Sequence, residues 1–346
     1  MTTARPLSWG IAGFGWVAQD YVAPAIRAAR DARLVAVCDP DPAARARAGD
    51  AASYADMDAF LAHPGLDAVY VAAPNHLHRR LVEATARAGK HVLCEKPMAT
   101  SLADAEAMGD ACRRTGIRYA TAFDQRFHPA HRRIREAIAA GAIGTATAVR
   151  IVYCCWVGAG WSADNWRVDA ARSGGGAMID LAPHGLDLVG FLLGEPLVDI
   201  AALAQRRVQD YAVDDGAVIV GRSATGALAQ LHVSYNCPET LPRRRLEIVG
   251  SRGQIVAIDT MGQTAGGTVT LTDAATGEAR PLEFDRDRSP FIGLVEGFTR
   301  DTLAGAPDAI ERDLHTMRLL DRLAVAVADM PAAPPAADPE LAAACR

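Results

Sequence analysis

The run Gly10-Ile11-Ala12-Gly13-Phe14-Gly15-Trp16-Val17-Ala18 follows a short apolar segment and opens a stretch of helical texture. Read from Gly13 it is G-x-G-x-x-A. The first glycine permits a tight turn. The second lets the backbone approach a pyrophosphate, and the small third residue lets helix pack on strand. A diphosphate would sit on the helix N-terminus, where unsatisfied N–H groups and the dipole favour an anion. A glycine-rich turn without a ligand shares this pattern, so the context matters. The next apolar run ends at Asp39, 26 residues after Gly13. A carboxylate there can accept hydrogen bonds from a ribose diol and would repel a 2′-phosphate, which favours NAD over NADP. Arg45 and Arg47 stand too far along the following helix to reverse that preference. Asp39 could instead cap a helix or turn before Pro40.

Two further groups stand out. Ala73-Pro74-Asn75-His76-Leu77-His78 and Cys94-Glu95-Lys96-Pro97 each end an apolar run, at what would be the carboxyl edge of a parallel sheet, where ligands bind. Lys96 is one of only two lysines, against 34 arginines. The other, Lys90, follows Gly89 and reads as a helix-end charge. Asn75, Asn165 and Asn236 are the only asparagines. Further on, Gly174-Gly175-Gly176 precede Asp180 and His184, which are spaced i, i+4 and so share a helix face. The three glycines allow close approach of backbone to cofactor and substrate.

The elements that must position these groups fall into two textures. Over the first 120 residues, strands at Leu7–Ala12, Leu34–Cys38, Ala68–Ala73, His91–Cys94 and Arg118–Ala122 alternate with helices near 16–30, 41–49, 76–89 and 101–115. That alternation implies right-handed βαβ units and a parallel sheet. After a helix near 129–140, longer alternating segments read as antiparallel strands. They are Thr145–Cys155, Val198–Gln209, Asp215–Arg222, Ala227–Tyr235, Arg243–Val249, Gln254–Ile258 and Thr268–Thr272. A helix near 177–193 interrupts them, and helices near 290–304 and 309–329 close the domain. The expected division is a Rossmann domain over 1–124, an α+β domain over 125–330 with a large, mostly antiparallel open sheet, and a Pro/Ala-rich tail over 331–346.

Composition bounds the rest. A chain of 346 residues has room for two domains, and 50% hydrophobic content can fill two cores. A net charge of −5 argues against a dedicated nucleic-acid binder. Seven cysteines form no C-x-x-C pair, which fits a reducing compartment. Cys154-Cys155 reads as a strand pair of inert thiols, and no metal site is expected. Met1 to Trp9 lacks the apolar core of a signal peptide, and no run of about 18 apolar residues reads as a membrane span. The expectation is a soluble cytoplasmic protein without membrane or nucleic-acid partners.

Taken together, these motifs resemble the glucose–fructose oxidoreductase / inositol dehydrogenase / rhizopine-catabolism (Gfo/Idh/MocA) family over about residues 7–330. The matching pieces are the Gly13/Gly15/Ala18 loop, Pro74-Asn75, Glu95-Lys96-Pro97, Arg126-Phe127-His128-Pro129, Asn165-Trp166-Arg167, and Gly174-Gly175-Gly176 with Asp180 and His184. The resemblance implies an N-terminal Rossmann domain, a C-terminal α+β domain, and a homodimer or homotetramer built through the large sheet. It implies a cis Lys96–Pro97 peptide and catalytic roles for Lys96, Asp180 and His184. It also implies cofactor contacts from Gly13, Phe14, Gly15, Trp16, Val17, Asp39, Ala73, Pro74, Asn75, His78, Glu95, Lys96, Trp166 and Arg167. Substrate contacts would come from Lys96, Asp124, Arg126, Tyr153, Trp161, Asp164, Arg167, Asp180 and His184. Many relatives have Asn where this chain has Asp124, and an acid there would suit a polyol over an acidic sugar.

The implied activity is NAD(P)-dependent hydride transfer at a secondary hydroxyl, or keto group, of a sugar, sugar derivative or cyclitol. NAD is favoured by Asp39, with NADP as the alternative. His184 can take the hydroxyl proton, since histidine is the side chain most often used as a general base near neutral pH. Lys96 can stabilise alkoxide character at the reacting oxygen, and Asp180 can orient substrate hydroxyls. Two alternatives accompany this reading. One is glycoside cleavage by transient oxidation, and the other is a dinucleotide-bound regulator without catalysis.

Overall fold

A computed structural model describes residues 5–158, 165–328 and 330. Trp161, Asp164 and the tail from Pro331 lie outside the described residues. The chain divides into two compact units. One comprises Met1–Phe127 with Arg288–Met317, and the other His128–Asp287 with Arg318–Arg346.

The first unit is built on six parallel strands: β1 (Leu7–Ala12), β2 (Ala32–Cys38), β3 (Ala52–Tyr54), β4 (Ala68–Val71), β5 (His91–Cys94) and β6 (Tyr119–Thr121). Their order is β3-β2-β1-β4-β5-β6, and every adjacent pair is parallel. This is a doubly wound Rossmann sheet, and the sequential order of its strands reverses between β1 and β4. β1 and β4 are buried along their whole length, as strands covered on both faces must be. The short β3 carries no apolar run, so periodicity alone does not mark it. The crossover helices α1 (Ala23–Ala28), α2 (His78–Arg87) and α3 (Leu102–Thr115) are set by local signals. Ser101 caps the start of α3 by accepting from the Asp104 amide, and Gly116 closes it in the left-handed region at φ 67°.

The first unit also holds a segment from far down the chain. Helix α6 (Pro290–Leu303) was expected in the second domain, but its apolar face joins the first core. Phe291, Leu294, Val295 and Phe298 are buried there with Trp9 and Ile26. The Trp9 indole donates to Thr299 at 3.2 Å and its ring lies 5.2 Å from that of Phe298. Four such side chains supply roughly 1.5–3 kcal/mol each, so burial, not chain position, decides the assignment. Gly297 keeps Phe127 in place, because a Cβ there would come within 2.6 Å of the Phe127 ring.

The second unit is built on eight strands: β7 (Ala146–Cys154), β8 (Leu197–Gln205), β9 (Gly216–Ser223), β10 (Leu228–Ser234), β11 (Arg244–Gly250), β12 (Gly253–Ile258), β13 (Thr268–Asp273) and β14 (Ala279–Pro281). Their order is β14-β13-β12-β11-β7-β10-β9-β8. All pairs are antiparallel except β10 with β7, so the sheet is mostly antiparallel. Helices α4 (Pro129–Ala139) and α5 (Ala177–Leu193) belong to this unit. The sheet buries alternate residues, such as Ala229, Leu231 and Val233 of β10, and leaves the others facing out. Within Ala170–Leu193 an 18-residue window, most of it in α5, is long and apolar enough to cross a membrane by length and composition alone, but 72% of that window is buried inside the protein. It is a core helix.

Candidate active site

In the first unit, the backbone turns sharply at Gly13, whose φ is +88°. A Cβ there would lie 2.8 Å from the backbone of Ala72 and Ala73. That packs the loop against the end of β4. At Gly15 a Cβ would meet nothing within 4 Å, so this side of the loop is open. The helix that follows from residue 16 presents its N-terminus there. Tight packing behind and space in front is the cradle a dinucleotide diphosphate needs. Phe14 is buried while Trp16 is 45% exposed, so of these two expected contacts only Trp16 presents its ring to solvent.

Asp39 joins the glycine loop directly. One carboxylate oxygen accepts the Phe14 amide at 2.6 Å and the other accepts the Asp41 amide at 2.8 Å. It is therefore a turn residue, while Asp41 caps the following helix. A carboxylate has about four acceptor sites, so two remain for a ribose diol. Arg45, expected to stand too far away, folds back onto the strand end. Its guanidinium donates to the Asp39 and Pro40 carbonyls at 2.7 and 2.9 Å.

The loops after β4 and β5 are tied together by His78. Its ring nitrogens lie 2.9 Å from the Ala73 carbonyl oxygen and 3.0 Å from that of Pro97. Burial pushes its pKa down. His78 thus braces the loop carrying Pro74 and the buried Asn75 against the one carrying Lys96, which is a structural role. The Lys96–Pro97 peptide is cis. Glu95 accepts from the Tyr70 hydroxyl at 2.7 Å and from the Lys96 amide at 3.2 Å. Burial, then the Glu95 charge, hold the Tyr70 phenol protonated, so it acts as a fixed donor. Asp124 and Arg126 lie in a short turn, Asp124–Phe127. Asp124 is buried and accepts from the Gln125 amide group at 2.9 Å.

In the second unit, Asp180 and His184 stand one turn apart on α5, and each meets a tyrosine. Tyr235 donates to Asp180 at 2.8 Å. Burial, then the Asp180 charge, push the Tyr235 phenol well above its ordinary range, so the proton stays on the tyrosine. The Tyr153 ring, on β7, meets the His184 ring edge-on at 5.5 Å between centroids. Trp166 and Arg167 form a short turn whose amide is capped by Asn165 at 3.1 Å, and the Arg167 guanidinium stacks 4.5 Å above the Trp166 ring. Lys96 and Asp39 belong to one unit, and Asp180, His184, Tyr153, Trp166 and Arg167 to the other.

The glycine triplet has a different cause from the one expected. Gly174 ends a short helix at φ 87°. A Cβ on Gly176 would overlap the Asp214 carbonyl, so the backbone that approaches closely is the protein's own. The Asp214 carboxylate accepts from the Gly176 and Met178 amides at 2.9 and 2.8 Å. Gly176, at the N-cap of α5, has no side chain to do this. Asp214 is therefore what holds the start of the helix bearing Asp180 and His184. Sequence reading missed it, and Tyr235 and Tyr70 as well. The adjacent acids Asp214-Asp215 at the head of a buried strand were the available signal.

Three of the buried or part-buried thiols are held protonated. Burial pushes the Cys154 and Cys155 thiols up to about 12 and Cys38 up to about 11. No disulfide joins the described cysteines. Among the described residues no group of three or more His, Cys, Asp or Glu is placed to hold a metal ion.

Comparison with known proteins agrees with this geometry. Residues 7–123 match the oxidoreductase family with an NAD-binding Rossmann fold, and residues 131–256 match the GFO/IDH/MocA C-terminal domain. The chain is 30% identical to a 1,5-anhydro-D-fructose reductase of Ensifer adhaerens over 86% of this chain and 90% of that protein. It is 30% identical to a myo-inositol 2-dehydrogenase of Thermotoga maritima over 78% and 79%. Its fold is similar to the crystal structure of the aldose–aldose oxidoreductase of Caulobacter crescentus. That match has a TM-score of 0.83 at 26% identity and covers 94% of this chain and 98% of the other. With a glycine cradle on a six-stranded parallel sheet and an Asp–His helix on an eight-stranded one, the chain belongs to the Gfo/Idh/MocA family of oxidoreductases.

Proposed function

We propose that the protein moves a hydride between a nicotinamide dinucleotide and a secondary hydroxyl, or the matching keto group, of a small sugar, sugar derivative or cyclitol. The observation that carries this is helix α5, where Asp180 and His184 share a face and each is held by a tyrosine, Tyr235 by hydrogen bond and Tyr153 by ring contact. The relatives named for anhydro-fructose and myo-inositol support the substrate class.

The roles follow from ordinary acid–base chemistry. The nicotinamide supplies the carbon that takes or gives the hydride. His184 takes the hydroxyl proton on a ring nitrogen, as a general base. Lys96 donates to the reacting oxygen and stabilises its alkoxide character; an arginine could not change protonation state in the same way. Asp180, kept in place by Tyr235, orients the substrate hydroxyls. A panel of aldoses, polyols and cyclitols with NAD, read at the absorbance of the reduced cofactor, tests this. Turnover of at least one is expected. No turnover of any, with the dinucleotide bound, would overturn the reading.

NAD is the preferred cofactor, because Asp39 presents a carboxylate to the adenosine ribose. Asp39→Ala should raise the KM for NAD by roughly 10-fold, as loss of a charge-assisted bond implies, and move the preference toward NADP. Initial rates with both cofactors read it. An unchanged NAD-to-NADP ratio would remove Asp39 from the specificity site.

The homo-oligomer forms through the open face of the eight-stranded sheet. Leu203, Val220 and Leu228, on neighbouring strands, are 81%, 51% and 58% exposed, which is costly for apolar side chains left in water. Leu203→Glu with Val220→Glu should shift sedimentation to a smaller species. Unchanged sedimentation would argue against this face. The free thiols of the described cysteines suit the reducing cytoplasm.

A further inference from the structure

Three consecutive arginines, Arg243-Arg244-Arg245, enter β11, and they are treated differently by the fold. Arg243 pairs with Glu239 at 2.8 Å and Arg245 with Glu247 at 3.0 Å. Strand alternation sends Arg244 to the other face, the side of the buried Leu246 and Ile248. There its register partner is Tyr153, and its guanidinium carbon lies 5.9 Å from the Tyr153 ring centroid. The same ring meets His184.

Arg244 has no carboxylate partner among the described residues. Its Nε is buried without a hydrogen bond. Its seat is built by sequence, because a Cβ on Gly262 would overlap the guanidinium. The Asp180 and Arg244 charges both act on the Cys155 thiol, in opposite directions. A part-buried guanidinium that makes no ion pair with a described carboxylate is costly to retain unless a ligand supplies a partner. Asp124, the acid expected to disfavour acidic sugars, is buried and accepts from the Gln125 amide group.

We propose that Arg244 is a specificity residue that binds an anionic oxygen group, a carboxylate or a phosphate, on the substrate beside the reacting hydroxyl. This deepens the sugar-oxidoreductase reading and rests on it. A planar fork suits such a group because it can donate two parallel bonds.

Calorimetric titration of the NAD-loaded protein tests the proposal independently of turnover. The probes are four hexoses, the matching hexuronates and the hexose 6-phosphates. At least one acid should bind roughly 10-fold more tightly than its neutral partner, as a charge-assisted pair implies. The uronate and phosphate arms separate the two anions. In Arg244→Gln that advantage should vanish, and in Arg244→Lys, which keeps the charge and loses the fork, part of it should remain. If no acid outbinds its neutral partner, or if Arg244→Gln keeps the preference, the proposal fails. Failure of turnover with the acid preference intact would instead sink the oxidoreductase reading alone.

Discussion

Lys96→Met is expected to lower kcat by roughly 10³-fold while dinucleotide affinity changes little, because the lost group acts on the reacting oxygen. Methionine keeps the length and apolar stem of lysine and removes the ammonium. The loop that carries it is also braced by bonds that do not involve that ammonium. Its neighbours are fixed by the His78 contacts to the Ala73 and Pro97 carbonyls and by the Tyr70–Glu95 bond. Binding of the reduced cofactor, followed by its fluorescence, separates the two effects. A variant that binds poorly and turns over normally at saturation would make Lys96 a cofactor anchor and nothing more. Retention of full kcat would remove it from the chemistry.

Asp214→Ala is expected to cost roughly 3 kcal/mol of stability, since two buried amides lose a charged acceptor. The carboxyl itself sits above its ordinary pKa, because burial outweighs the bonds from the Met178 and Gly176 amides. That does not soften the truncation, which leaves both N–H groups buried and unpaired at the first turn of α5. Asp214→Asn keeps an acceptor oxygen for one of the two amides but turns an NH2 donor toward the other, so it should cost at least half as much. Denaturant unfolding gives the stability difference. The alanine variant should also lose kcat, because Asp180 and His184 ride on the helix it anchors. A loss below about 1 kcal/mol would mean that α5 starts without Asp214.

What the sequence discloses and what it withholds both follow from the range of the interactions. The Rossmann half is legible, apart from the short β3, because its other strands, turns and glycines are specified locally, as at Gly13 and Gly116. Helix α5 is legible for the same reason, since apolar residues dominate it from Ala177 to Leu193. The placement of α6 is not legible, because its partner Trp9 lies 290 residues away. Asp214 is hidden likewise, 38 residues from the amide of Gly176 it serves. The three glycines read as space for a ligand, yet at Gly176 the space is filled by Asp214. Arg45 was judged by its distance along the helix, but a long side chain can fold back by a whole turn. Arg244 is hidden in a run of arginines whose two flanking members are ordinary ion pairs.

The central claim is hydride transfer at a carbon bearing oxygen. Its most direct measurement uses NADH deuterated at nicotinamide C4, on both faces in separate samples, with the keto form of a sugar or cyclitol that the enzyme accepts. Mass spectrometry of the product should find one deuterium on the carbinol carbon with one of the two labelled cofactors and none with the other. Product formed without deuterium from either cofactor would contradict the account.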